Sequence, residues 1–122
     1  MNEASFPKRV LIIEDNIDAA DSLVQLLQVC GHHAQAAYTA QEGFSLLDTY
    51  QADIILLDIG LPDMSGYEVA RQIRKTNQEI MLVALTGYTP DNKLTRAAGF
   101  NQQVTKPIML DTLEALLDAR AA

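Results

Sequence analysis

A chain of 122 residues with 9 Lys+Arg against 16 Asp+Glu carries a formal net charge of -7, a size that fits one domain. With 48% hydrophobic residues it can build a core, and no apolar run approaches the roughly 18 residues that span a bilayer, so no membrane partner is expected. The acidic balance repels phosphate backbones and the basic residues are scattered, which disfavours direct nucleic-acid binding; a lone cysteine, Cys30, excludes an internal disulfide.

Residues 1–9, Met-Asn-Glu-Ala-Ser-Phe-Pro-Lys-Arg, lack the charged-then-apolar order of a secretory leader, which makes the cytoplasm the expected compartment. Of these, 1–7 read as a flexible segment and 8–122 as the folded domain. Val-Leu-Ile-Ile at 10–13 does not alternate apolar with polar side chains, the pattern of a strand covered by helices on both faces. A helix follows Asp15, with Ala20, Leu23, Val24 and Leu27 on one face and Gly31 as its stop. His-Ala-Gln-Ala-Ala at 33–37 is a less apolar strand, placed nearer an edge. Thr39-Ala-Gln-Glu42 matches the capping box, in which hydroxyl and carboxylate each satisfy a free backbone N–H, and starts the second helix. Ile-Ile-Leu-Leu at 54–57 is a second central strand, and Ser65-Gly-Tyr-Glu68 is the capping box of the third helix. The run at 81–85 is the fourth strand, and Thr89-Pro90 sets a cap before a proline at the start of a helix that Gly99 ends. The polar run at 103–105 makes a fifth strand near an edge, and Leu113, Leu116 and Leu117 share one face of a last helix over 110–119.

Strand then helix, five times over, predicts a doubly wound α/β sheet with right-handed crossovers and a ligand site outside the carboxyl ends of the strands. Polar residues gather there. The first strand runs into Glu14-Asp15, the third into Asp58, the fourth into Thr86 and the fifth into Lys106. With the first and third strands as neighbours three carboxylates converge, and two unit charges at 4 Å repel by roughly 4 kcal/mol at an effective dielectric of 20. Lys106 supplies one compensating charge, and an all-oxygen cluster suits a hard divalent ion, most naturally magnesium. A strand-end carboxylate also commonly caps the next helix, an equal reading for Asp15 alone but a poor one for all five positions. A carboxylate, a metal, a hydroxyl and a lysine are the parts of phosphoryl transfer, with a carboxylate as the nucleophile that forms an acyl phosphate. Asp58 is the best nucleophile, since it follows the most apolar strand and opens the loop Asp58-Ile-Gly-Leu-Pro-Asp-Met-Ser-Gly66, whose glycines and proline suit a backbone close to a ligand.

These residues resemble one family, the receiver domain of two-component response regulators, including receivers attached to hybrid histidine kinases. The resemblance covers roughly 8 to 119 and rests on Val-Leu-Ile-Ile-Glu14-Asp15, Asp58-Ile-Gly-Leu-Pro-Asp-Met-Ser-Gly-Tyr-Glu68, Ala-Leu-Thr86-Gly-Tyr and Lys106-Pro107-Ile, in the family's order. It implies a flavodoxin-like, three-layer α/β/α fold with a five-stranded parallel sheet in the order 2-1-3-4-5. It implies further that Asp58 accepts a phosphoryl group from the phosphohistidine of a sensor histidine kinase or histidine phosphotransfer protein. Mg2+, with Mn2+ as a substitute, would be held by Glu14, Asp15, Asp58 and the Gly60 carbonyl. Thr86 would bind a phosphoryl oxygen and Lys106 would pair with the phosphoryl group or the free carboxylate, with the bond to Pro107 cis. The changed surface would be the fourth helix, fifth strand and fifth helix, read by a downstream protein target or by a second copy in a phosphorylation-dependent homodimer. The resemblance is to a signalling phosphoacceptor that supports only its own phosphorylation and autodephosphorylation, standing alone or as part of a longer protein.

Some positions depart from the family. The place three before Lys106, where an aromatic or histidine usually takes part in the switch, holds Gln103. Ile108-Met109 stands where an acidic helix cap is common, with Asp111 as a cap one or two residues later. Tyr88 and Gly60, each two residues beyond a site residue, would tune the lifetime of the acyl phosphate. Adjacent His32 and His33 point to opposite faces if both lie on a strand, so packing is favoured over a metal site. Cys30 reads as packed, and Asp63 as a solvated loop residue or turn former. Two other functions compete. Small-molecule phosphohydrolases of the haloacid dehalogenase type are similar in using an Asp after a strand, but carry a second acid where this chain has Gly60; a flavin-binding relative would want a phosphate-cradling loop where Glu14-Asp15-Asn16 would repel phosphate. A receiver-like binding module that is never phosphorylated is the remaining alternative.

Overall fold

The computed structural model describes residues 7–87 and 92–121. The elements alternate as β1 (Arg9–Ile13), α1 (Ile17–Val29), β2 (His33–Ala37), α2 (Ala40–Leu47), β3 (Ile54–Asp58), α3 (Gly66–Thr76), β4 (Met81–Thr86), α4 (Asn92–Ala98), β5 (Gln102–Thr105) and α5 (Leu110–Ala121). All strand pairs are parallel, in the order β2-β1-β3-β4-β5. This is the doubly wound sheet that the alternation predicts, in the flavodoxin-like order that the resemblance implies, with the two least apolar strands at its edges.

The unbroken apolar runs are explained by what lies on each face. Leu11, Ile13, Ile55, Leu57, Leu82 and Ala84 pack under α2, α3 and α4, through residues such as Ala40, Val69, Ile73 and Ala98. The alternate set, Val10, Ile12, Ile54, Leu56, Val83 and Leu85, packs under α1 and α5, through Leu23, Leu27, Leu113 and Leu116. Successive strand side chains point to opposite faces, so a strand with helices on both sides must be apolar at every position.

Several local expectations are refined. Asp58 and Thr86 are the last residues of β3 and β4, so hydrogen bonding in the sheet fixes the backbone of both. Helix α1 ends at Val29 with Cys30 as its C-cap, and Gly31 follows at φ 90°, a conformation that favours glycine. Thr39 Oγ1 caps α2 by accepting the Glu42 N–H at 3.1 Å, while the Glu42 carboxylate reaches back to the Tyr38 N–H at 3.2 Å and not to that of Thr39. At α3 the second capping box is only half made. Ser65 Oγ accepts from the Tyr67 N–H at 3.2 Å, but Glu68 turns along the helix to Arg71 and Gln72. Asp111 does not cap α5, because the helix has already begun at Leu110. Residues 1–6 of the expected flexible segment, Tyr88 and the Thr89-Pro90 cap lie outside the described residues.

Candidate functional site

Four strand ends build the site. Glu14 follows β1 directly, and its backbone N–H bonds to Ala37 O at the end of β2, 3.0 Å away. Its side chain is 1% exposed, which only a set of partners can sustain for a carboxylate. Oε1 accepts a 2.6 Å bond from Lys106 Nζ and Oε2 a 3.1 Å bond from the Asn16 N–H. Asn16 is also the N-cap of α1, its Oδ1 accepting from the Ala19 N–H at 3.0 Å. Asp58 is 6% exposed, with Oδ1 accepting from the Gly60 N–H at 2.9 Å and Oδ2 lying 3.3 Å from Lys106 Nζ. Asp15 is exposed, and one ligand oxygen from each of Glu14, Asp15 and Asp58 lies within 4.8 Å of the others. Thr86 is 3% exposed at the end of β4, where its carbonyl accepts from the Lys106 N–H at 2.7 Å. The Lys106–Pro107 peptide is cis.

The charges sort themselves by environment. Burial and a shared hydrogen bond with Asp58 push Glu14 up to about 7, against the pull of Lys106 and the Asn16 N–H. Burial also pushes Asp58 upward, but the bonds from Glu14 and the Gly60 N–H and the charge of Lys106 outweigh it and hold the carboxyl below its ordinary value. Burial works against the Lys106 cation, yet two carboxylates at contact distance raise its pKa. The arrangement keeps Asp58 ionised, with one cation beside it and Glu14 poised to share a proton. It is a set of hard oxygen donors around one point, open on the Asp15 side, which fits a small divalent cation better than a softer one.

Other expected residues lie elsewhere. Gln103 does not edge the site; its Oε1 accepts from Thr95 Oγ1 on α4 at 2.9 Å, and Thr95 is buried. Asp63 is exposed, as expected, but it is no free loop residue: its carboxylate bonds to the start of α2. His32 lies just before β2 and accepts the Lys8 N–H on Nδ1 at 2.9 Å, and His33 is exposed, so neither joins the carboxylate cluster. Cys30 is buried, and burial raises its thiol pKa. Asn16, and not Asp15, caps α1, and its bond to Glu14 depends on how the chain turns between β1 and α1.

A family model described as the response regulator receiver domain matches residues 10–118. The cell cycle response regulator CtrA of Brucella ovis is 37% identical over 113 residues, covering 91% of this chain and 49% of that protein. The chain thus spans about half the length of the curated relatives it matches. A CheY-like receiver domain protein from Methanospirillum hungatei is 29% identical with a TM-score of 0.85, covering 95% of this chain and 98% of the other. A two-component response regulator from Clostridium difficile is 25% identical with a TM-score of 0.87, over 93% of this chain and 95% of the other. Family match, sheet order and strand-end residues agree, and the chain belongs to the response regulator receiver domains of two-component systems.

Proposed function

We propose that this receiver accepts a phosphoryl group on Asp58 from the phosphohistidine of a partner kinase or histidine phosphotransfer protein, in a reaction that needs Mg2+. The observation that carries the reading is the Glu14–Lys106–Asp58 arrangement, in which two buried carboxylates flank one lysine, 2.6 and 3.3 Å from its Nζ, at the mouth of a parallel sheet. An oxygen of Asp58 attacks phosphorus as the P–N bond of the donor breaks, its electron pair leaving on the imidazole nitrogen. Lys106 neutralises charge on the transferring group, and the Thr86 hydroxyl donates to one of its oxygens. Glu14, Asp15, Asp58 and the Gly60 carbonyl would hold the metal, which supplies further charge neutralisation when bound. The same donor set accepts Mn2+.

The donor must approach beside Lys106. There Ala19, Leu23, Leu26, Pro107 and Ile108 line an apolar hollow of about 200 Å³ that adjoins Glu14, a surface suited to a protein donor more than to a free metabolite. Gly60 offers no second acid for a hydrolase, so the product stays on the enzyme-like site as an acyl phosphate and the chain acts as a signalling phosphoacceptor. Output through α4, β5 and α5 follows from movement of Thr86, with α4 and β5 joined by the Thr95–Gln103 bond. Dimerisation on phosphorylation is one form that output takes in this reading.

Intact mass after incubation with acetyl phosphate and magnesium tests the proposal. The wild type gains one phosphoryl group only with magnesium, and Asp58→Asn gains none. No adduct with acetyl phosphate and none with a phosphorylated histidine donor identifies a binding module that is not phosphorylated. Rapid consumption of acetyl phosphate without an adduct identifies a hydrolase.

A further inference from the structure

Asp63 lies in the loop that leaves Asp58, yet its carboxylate is bound to another part of the molecule. Its Oδ1 accepts the Ala40 N–H at 3.0 Å and its Oδ2 the Gln41 N–H at 3.2 Å, the first two residues of α2. These N–H groups have no partner within the helix. The helix has its own N-cap in Thr39, which already serves Glu42, so Asp63 is a second cap supplied from across the fold. The Ala40 N–H, followed by that of Gln41, holds the Asp63 carboxyl below the usual carboxylate range, although the side chain is exposed.

The far end of this tie is fixed to the strand that carries Glu14 and Asp15. At Gly43 a Cβ would lie 2.6 Å from Ile13 Cδ1, so the backbone of α2 rests directly on the last residue of β1. Ala40, at the tie itself, is 1% exposed. Within the loop, the Gly60 N–H bonds to Asp58 Oδ1 at 2.9 Å and the Gly66 N–H closes on Ile59 O at 2.8 Å. Those two bonds shape the loop internally. The bond of Asp63 to α2 references it to β1.

We propose that Asp63 is a positioning residue for the metal site, holding the loop at Gly60 in register with Glu14 and Asp15 through α2. The proposal rests on the function argued above, since it assigns Gly60 to the metal. Without the tie, Asp58 stays in place through the pairing of β3 with β1, and Gly60 keeps its N–H bond to Asp58, but the Gly60 carbonyl loses part of its placement relative to the carboxylates after β1. Magnesium affinity then falls by about tenfold or more, the range seen when groups that orient metal ligands are removed.

The experiment is a titration of the full chain with magnesium alone, by calorimetry, for wild type, Asp63→Ala, Asp63→Asn and Thr39→Ala. Thr39→Ala removes the other cap of the same helix and leaves the loop tied, so it reports what weakening α2 does by itself. Asp63→Ala is expected to lose affinity, Asp63→Asn to recover part of it through the remaining oxygen acceptor, and Thr39→Ala to match the wild type. Amide exchange at Gly60 and Gly66 should quicken in Asp63→Ala and not in Thr39→Ala. Wild-type affinity in Asp63→Ala, or an equal loss in both cap variants, overturns the proposal. Wild-type protein that binds no magnesium overturns the functional reading instead, and exchange at the two glycine amides then decides the tie by itself.

Discussion

At the scale of single residues, the site depends on side chains that are absent as much as on those present. Gly66 opens α3 beneath the Asp58 loop, where an added Cβ would stand 2.5 Å from both Asp58 O and Ile59 Cα. Both are backbone atoms held by the sheet and by the Gly66–Ile59 bond, so they have no easy way to retreat. Gly66→Ala is therefore expected to destabilise the fold by about 1–3 kcal/mol, the usual cost of overpacking, measured by urea denaturation. A variant as stable as the wild type would mean that the loop can re-form away from β3. The sequence offered Gly66 as loop and helix-start chemistry, but the need for a glycine comes from the approach of two backbones. The same limit applies to Ser65 and Glu68. Their spacing matched a capping box, yet Glu68 found Arg71 and Gln72 one turn on, partners of similar reach.

At the scale of elements, the end of the sheet away from the site is joined by polar clamps. Arg74, near the end of α3, donates to Ile80 O at 2.7 Å, Gly99 O at 2.9 Å and Asn101 Oδ1 at 2.8 Å. Asn101 Oδ1 also accepts from the Leu82 N–H at 2.8 Å, so one guanidinium ties α3 to the start of β4 and to the turn after α4. Arg74→Met keeps much of the stem and removes the donors. Hydrogen bonds from a charged group contribute about 1.5–3 kcal/mol net each, and with water replacing some of them the variant should lose about 2–3 kcal/mol. A loss near zero in urea denaturation would show that solvent replaces the guanidinium fully. Strand positions here were legible because burial on two faces makes the runs 10–13, 54–57 and 81–85 apolar throughout. Arg74 carries no such mark, since its partners, backbone carbonyls and the Asn101 side chain, come from separate segments.

At the scale of the molecule, the end of the sheet away from the site responds to pH through His32. His32 accepts the Lys8 N–H on Nδ1, which requires the unprotonated nitrogen, and burial with the nearby Lys8 charge lowers its pKa from 6.5. A lowered folded-state pKa means that the unfolded chain binds the proton more readily. The contribution of His32 is thus fully present above the unfolded value and is lost as pH falls through the folded one. The stability advantage of wild type over His32→Gln should be greatest above about pH 7 and shrink steadily below about pH 6.5, by denaturation at a series of pH values. A difference independent of pH would remove the neutral histidine from the account.

The sequence by itself determined the alternation of strands and helices, the edge position of the weak strands and the gathering of Glu14, Asp15, Asp58, Thr86 and Lys106 at one end of the sheet. Each of these follows from side-chain patterning and from neighbours within about one helical turn, information that a linear chain carries locally. Tertiary structure decided which carboxylate keeps its charge, because Glu14 and Asp58, far apart in sequence and both buried, are brought together to share one hydrogen bond and one lysine. It also decided that Gln103 joins Thr95 and that Asp63 crosses to α2. A short polar side chain takes whichever unsatisfied group the fold brings within about 3 Å, and that neighbour is set only when the whole chain has packed.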